Sequence, residues 1–336
     1  MEMMYGAIDI HKHVFQAAVF DATSGEVVEE RFPASREHLA AWQKTWGGRL
    51  CSVAIEATSG WRWVVRELQQ HGFDVQLADP GQAIALKGKR RRAKTDRLDA
   101  RWLAMLLAKQ MLPTAWIPPD EIQQLRDLTR LRLALSQDRT RWAQRLHAFL
   151  AHEGWPCARS RLLTAKGRLW VASLALDPHA RSQTARLLRL IAALDEEIAE
   201  LDSTLRRLAR DDNRLRALQT IWGVGPILAC HLLAEIGDTH RFRRARQLVR
   251  AAGLDPVVIE SADNKRRGRL SKSGSPQLRW ALVEAAHHAC RHGSPDLELY
   301  QSVRARAGAQ RATLTAARKI ARRCFHTLNT APTPVT

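Results

Sequence analysis

The sequence is short of acid. Against 53 Lys and Arg it sets only 34 Asp and Glu, leaving a formal charge of +19 and a pI near 10.8. Such an excess is self-repulsive unless a polyanion is a regular partner, which points to nucleic acid or an anionic membrane surface. Long apolar runs are also missing. A stretch such as 226–233 is broken by His231 and falls far below the roughly 20 residues that span a bilayer. Residues 1–9 hold no basic segment followed by an apolar core, so no secretory signal is expected. The five cysteines (Cys51, Cys157, Cys230, Cys290 and Cys324) are scattered, with no CxxC pair. That argues against a disulfide framework or a zinc ribbon and fits reduced thiols in a cytoplasmic protein. Internal repeats and low-complexity tracts are absent too. With membranes set aside, nucleic acid is the expected partner, held in a salt-dependent way.

The chain is long enough for two or three domains, and 45% of its 336 residues are hydrophobic, enough to fold. Residues 1–117 read as an α/β domain. Apolar strands at 5–10, 13–20 and 27–32 suit an antiparallel meander. A helix at 35–46, a strand at 52–55, a helix at 61–71, a strand at 74–78 and a helix at 96–111 follow, giving a mixed sheet with packed helices. Residues 118–212 carry almost no strand signal. One long helix runs from Ile122 towards Phe149. A second holds Ile191, Leu194, Ile198, Leu201, Leu205 and Leu208 at heptad spacing, the seam of a helical hairpin or an oligomerising coiled coil. Residues 213–330 form a third, mostly helical and basic unit, and 331–336 a tail.

Four carboxylates stand where chemistry is expected. Asp9 ends the first strand and Glu56 a later one, while Asp96 and Asp99 lie three apart at the start of a helix, on one face. A single strand-end Asp is commonly a turn former, and Asp96 also suits an N-cap. Four in order in one α/β domain favour shared divalent cations. Hard oxygen ligands suit Mg²⁺ (or Mn²⁺), and paired metals can clamp a phosphodiester. Lys12 follows the first acid, and the run Lys87, Lys89, Arg90, Arg91, Arg92 and Lys94 precedes the last two, well placed to position phosphates.

Three further motifs lie beyond residue 212. Gly223-Val224-Gly225 before a helix at 227–236 resembles a helix-hairpin-helix turn, whose amides meet phosphate, or else a turn needing small residues. Residues 259–275 form a loop with Lys265, Arg266, Arg267, Arg269 and Lys272. Its serines Ser261, Ser271, Ser273 and Ser275 are candidates to bind or attack phosphate, and sequence does not choose among them. The cluster His287, His288, Cys290 and His292 lacks a partner pair at zinc spacing. The 11 tryptophans are dispersed and read as core or interface anchors.

Taken in order, the segments 6–12, 55–60, 94–100, 221–226, 236–242, 252–256, 273–282 and 317–321 resemble the insertion-sequence transposases of the DEDD type. These recombinases have a RuvC-like N-terminal domain and a serine-bearing C-terminal transposase domain, and are guided by a bridge RNA. The resemblance covers nearly the whole chain. It implies a RuvC/RNase H-like mixed sheet with flanking helices (1–117), a helical coiled-coil insertion for oligomerisation (118–212) and a mostly helical C-terminal domain with a helix-hairpin-helix-like motif (213–330). It maps the metal-binding carboxylates onto Asp9, Glu56, Asp96 and Asp99. It puts the nucleophilic serine, which follows Gly253-Leu254-Asp255-Pro256, at Ser261. Ala262 stands where the family has Gly, and Val283 where it has Tyr. Arg279, in the segment 273–282, joins the basic residues expected to contact nucleic acid. The activity implied is DNA cleavage and rejoining through a covalent phosphoserine, in a composite site within a dimer or tetramer. The implied partners are double-stranded donor and target DNA and a noncoding guide RNA. A junction resolvase or metal-dependent nuclease using activated water is the alternative, and a non-catalytic nucleic-acid scaffold is a third reading.

Overall fold

The computed structural model describes residues 3–86, 96–158, 161–261 and 264–331, without the side chains of 96–98 and 258–267. It divides into two compact units, Met1–Ile117 and Pro118–Thr336.

The first unit runs β1 (Met4–Ile10), β2 (Val14–Asp21), β3 (Val27–Pro33), α1 (Arg36–Trp46), β4 (Leu50–Glu56), α2 (Trp61–Gln70), β5 (Val75–Ala78), α3 (Pro80–Leu86), α4 (Asp96–Ala108) and β6 (Thr114–Ala115). The strands make one sheet of order β3-β2-β1-β4-β5-β6. β1, β2 and β3 form the expected antiparallel meander, β4 and β5 run parallel to β1, and β6 returns antiparallel. This is the mixed sheet expected of a RuvC-like domain.

The two faces differ because the strands alternate. Ile8, Ile10, Val53, Ile55, Val75 and Leu77 share a core with Leu39, Trp42 and Trp46 of α1 and Val64, Val65 and Leu68 of α2. On the other face stand Ala7, Ala54 and Ala78, packed with Leu103, Ala104 and Leu107 of α4. Small residues there let a helix approach the sheet closely. α3 and β6 were not expected. Asp79-Pro80-Gly81 reads as a stop, but Pro80 at a first helical position is favourable, and the Asp79 carboxylate accepts from the Gln82 amide.

The second unit runs α5 (Asp120–His152), α6 (Ala165–Ser173), α7 (Pro178–Asp211), α8 (Asn213–Leu218), α9 (Pro226–Ile236), α10 (Ala245–Ala251), β7 (Pro256–Ser261), β8 (Asn264–Leu270), α11 (Pro276–Ala286), α12 (Leu297–Ala307) and α13 (Ala309–Thr330). α5 and α7 pack as an antiparallel hairpin. Arg132 meets Asp202 at 2.8 Å, and Arg139 pairs with Asp195. The expected seam lies on α7. Ile191 and Leu205 are buried, whereas Leu194, Ile198 and Leu201 are half-buried. α9 packs on both long helices and on α8 and α11, which makes the helical region and the C-terminal region one compact unit.

The segment 259–275, read as a loop from its glycine, serine and basic residues, instead contains an antiparallel hairpin. β7 and β8 pair from Pro256↔Leu270 to Ser261↔Asn264. Val258 and Ile259 in β7 stand opposite Arg267 and Arg266 in β8, and the charge run hides the strand pattern. No helix among the described residues is long and apolar enough to cross a membrane.

Candidate active site

β1 and β4 lie side by side with Ile8 opposite Ile55, so Asp9 and Glu56 occupy the next positions at their C-terminal ends. By the same alternation they follow Ala7 and Ala54 on the face that α4 covers. Asp9 is 4% exposed and Glu56 half-buried. The His11 ring nitrogen Nε2 stands 3.2 Å from Asp9 Oδ2.

The buried stripe of α4 runs Ala100, Leu103, Ala104 and Leu107. One turn N-terminal to Ala100 and Leu103 come Asp96, which opens the helix, and Asp99, which is half-buried. The Asp96 side chain lies outside those described. Among the described residues no three Asp, Glu, His or Cys side chains form a group that could hold a metal ion, so Asp9, Glu56 and Asp99 alone do not make one. Lys12 is exposed, and Lys87, Lys89, Arg90, Arg91, Arg92 and Lys94 lie outside the described residues.

In the second unit Gly223 sits at φ +85°, where a Cβ would come 2.4 Å from the Ala285 carbonyl oxygen. Both the left-handed backbone and the close approach require glycine. Gly225 caps α9 and is open to solvent, with Pro226 in the first turn. An open groove of about 610 Å³ runs past Arg206, Trp222, Gly223, Gly225 and His288. The Trp222 indole donates to the His288 carbonyl at 3.0 Å. His287 caps the C-terminus of α11 rather than lying within it.

The four candidate serines separate. Ser271 Oγ donates to Asp255 Oδ1 at 2.5 Å, and Ser273 Oγ donates to Ser271 at 3.2 Å. Ser275 caps α11 by accepting from the Leu278 amide, and donates to Glu235 at 2.8 Å. Ser261 ends β7. Its side chain, like those of Lys265, Arg266 and Arg267, lies outside those described. Arg269 and Lys272 are exposed. Arg279 is half-buried, and its guanidinium donates to the Ala252 carbonyl at 3.1 Å.

The sequence reading passed over Glu235. It is 4% exposed on α9 and accepts two bonds from Arg130, at 2.8 and 3.1 Å, besides that from Ser275. Burial pushes its carboxyl up, but the Arg130 contact and the Ser275 hydroxyl outweigh this and hold it below the usual range. The signal was present: Glu235 is the one acid in a helix apolar but for His231, where a lone charge is costly unless paired. His231 on the same helix is 1% exposed against Trp280, ring centroids 5.0 Å apart. Burial, aided by the charge of Arg132, draws its pKa down to about 4, so it is neutral.

Comparison with known proteins matches these regions one by one. A family model described as a transposase of the DEDD, IS110 type covers residues 7–153, from within β1 to the end of α5. A second, described as the transposase IS116/IS110/IS902 family, covers 215–301, including the serine hairpin. A transposase for insertion sequence element IS1111A from Coxiella burnetii is 27% identical over 292 residues, 85% of this chain and 77% of that protein. A transposase for element IS1328 from Yersinia enterocolitica is 26% identical over 286 residues, 83% of this chain and 81% of its own. A probable family 20 transposase from Pseudomonas aeruginosa is 27% identical over 295 residues, 84% of this chain and 83% of its own. With both regions matched in order, and relatives aligned across most of their length, the chain belongs to the IS110/IS116 family of insertion-sequence transposases.

Proposed function

We propose that this transposase cuts and rejoins DNA with two sets of groups. Asp9, Glu56, Asp96 and Asp99 hold divalent metal, and Ser261 is the nucleophile. The observation that carries the metal half is the register of the sheet. Asp9 and Glu56 end adjacent parallel strands on the face covered by α4, whose buried stripe continues N-terminally as Asp99 and Asp96. The donor set fits the metal: all four are hard carboxylate ligands, suited to Mg²⁺ or Mn²⁺. When bound, such an ion polarises the scissile phosphate.

Ser261 Oγ attacks phosphorus. A serine–phosphate bond forms, the bond to one DNA oxygen breaks, and that oxygen leaves as a hydroxyl once protonated. A hydroxyl from the exchanged strand then displaces the serine and reseals the backbone. Ser261 is the serine that the resemblance places after Gly253-Leu254-Asp255-Pro256, while Ser271, Ser273 and Ser275 are each bonded within the fold. The +19 charge supports a polyanionic partner, with a structured noncoding RNA pairing to donor and target while the protein holds backbones. The chain acts in the cytoplasm as a homo-oligomer.

The test uses Ser261→Ala with donor, target and the RNA that co-purifies with the protein. The variant is expected to form no covalent protein–DNA species. Undiminished recombination would refute the nucleophile. Cleavage without any covalent species in the unaltered protein would favour water as nucleophile and a resolvase-like reaction. Recovery of no specific RNA would remove the guide.

A further inference from the structure

We infer that Arg279, Arg318 and Asp255 are positioning residues that aim the β7–β8 hairpin from its root. The inference rests on the reading of Ser261 as nucleophile.

The hairpin pairs with itself, and no other described element packs against it to a comparable extent. An isolated two-stranded hairpin is marginally stable in water and does not fix its own direction. Its orientation is therefore set where it leaves the helical body. Six residues of strand reach roughly 20 Å, so a tilt of roughly 10° at the root moves the tip by roughly 3–4 Å.

The root is built on a network of main-chain hydrogen bonds. α10 ends in a Schellman turn. Gly253 lies at φ +62°, its amide bonds the Arg250 carbonyl at 2.8 Å, and the Leu254 amide bonds the Val249 carbonyl at 3.1 Å. Four carbonyls remain at this end, and the Lys272 amide takes that of Gly253 at 3.3 Å. The Ser275 amide takes that of Ala251 at 2.9 Å, Arg279 Nη1 that of Ala252 at 3.1 Å, and Arg318 Nε that of Leu254 at 2.8 Å. Across the root, the Ser271 hydroxyl donates to the Asp255 carboxylate while its amide donates to the Asp255 carbonyl at 2.9 Å. Two glycines let these layers meet. A Cβ on Gly274 would lie 1.9 Å from the Ala251 carbonyl oxygen, and one on Gly253 2.6 Å from Arg279 Nη1.

Two arginines, from α11 and α13, thus grip the Ala252 and Leu254 carbonyls on either side of Gly253, in the segment that launches the hairpin. A guanidinium gripping main chain is fixed by it, whereas a phosphate-binding Arg is held out to solvent. Arg279 therefore acts through the hairpin and not on DNA directly.

The experiment uses the full-length protein with Arg279→Ala, Arg318→Ala and the pair Asp255→Ala and Asp255→Asn. It measures amide hydrogen exchange in 256–270, the single-turnover rate of covalent attachment to DNA, and DNA affinity against salt. Each alanine variant should speed exchange in the hairpin and slow attachment by about 10²-fold, the scale of a 1 Å misplacement. DNA affinity and its salt slope should stay unchanged. Asp255→Asn, which keeps an acceptor for Ser271, should restore both readouts towards the unaltered protein, and it keeps the test open should an arginine variant fail to fold. Unchanged hairpin exchange in the alanine variants would overturn the root assignment. So would a salt slope reduced by about one in Arg279→Ala, the mark of a lost phosphate contact. Attachment undiminished in Ser261→Ala would instead overturn the serine reading, and faster hairpin exchange in Arg279→Ala would still uphold the root.

Discussion

The two units treat buried acids in opposite ways. In the second unit Glu235 is clasped by Arg130 and Ser275, and Asp296 by Arg323 at 2.6 and 2.8 Å with Lys319 at 3.3 Å. Burial pushes the Asp296 carboxyl up, but the Arg323 contact and then Lys319 prevail and hold it low. These acids tie helices together: α5 to α9 and α11 in one case, α13 to the turn before α12 in the other. In the first unit the buried acid Asp9 stands at a strand end beside His11, next to the end of the strand that carries Glu56. There the core is held by apolar alternation, and the acids gather at one end of a sheet. An acid saturated by arginine has nothing left to give a ligand, whereas the proposed metal site asks the acids at the strand ends to share one.

The sharpest way to break that contrast is Asp9→Asn. It should lower DNA strand cleavage in Mg²⁺ by at least about 10²-fold, by analogy with the loss of one stabilising group at a reacting centre, while the melting temperature holds. Unaltered cleavage would make Asp9 an acid of architecture like the others.

Glu235→Ala should do the reverse. Leaving Arg130 and Ser275 without their acceptor is expected to cost about 3 kcal/mol of stability, the low end for a broken buried pair because Arg130 is partly exposed. Denaturant unfolding reads this directly. A midpoint equal to that of the unaltered protein would show that the pair holds nothing.

His231 sharpens the comparison by pH. Its folded pKa of about 4 lies below the ordinary 6.5, so the unfolded chain takes the proton first. The stability it contributes is complete above pH 6.5 and is lost as pH falls towards 4, by roughly 3 kcal/mol over the window. His231→Phe should flatten the melting temperature of the protein between pH 7 and 4.5. An unchanged slope would mean that another group titrates there. The smallest effect belongs to Arg206→Ala. Arg206 is an exposed partner of Asp202 one turn away, and its loss should cost less than about 0.5 kcal/mol. A larger loss would give surface pairs on α7 an importance denied to them here.

Much of the first unit was legible because its signals are local. Period-two runs of Ile, Val and Ala mark β1, β4 and β5, and the acids stand out as the polar residues that close them. α3 escaped, since Pro80-Gly81 reads equally as a stop and as a helix start. The hairpin at β7 and β8 escaped because Lys265, Arg266 and Arg267 look like a solvated loop. The partners of Glu235 and Arg279 escaped for one reason: a charged residue in sequence does not reveal whether its partner is a ligand, an arginine 105 positions away or a carbonyl 27 positions away.

By itself, then, the sequence determined the alternation of the sheet, the long helices, the acids at strand ends and the excess of positive charge. Each of these follows from residues within a few positions of one another. Only the tertiary structure decided which serines are already bonded, which arginines grip main chain and which acids are neutralised from afar. Those outcomes depend on pairings between distant segments, and a charged or hydroxyl side chain is chemically the same in sequence whether the fold saturates it or leaves it at a mouth.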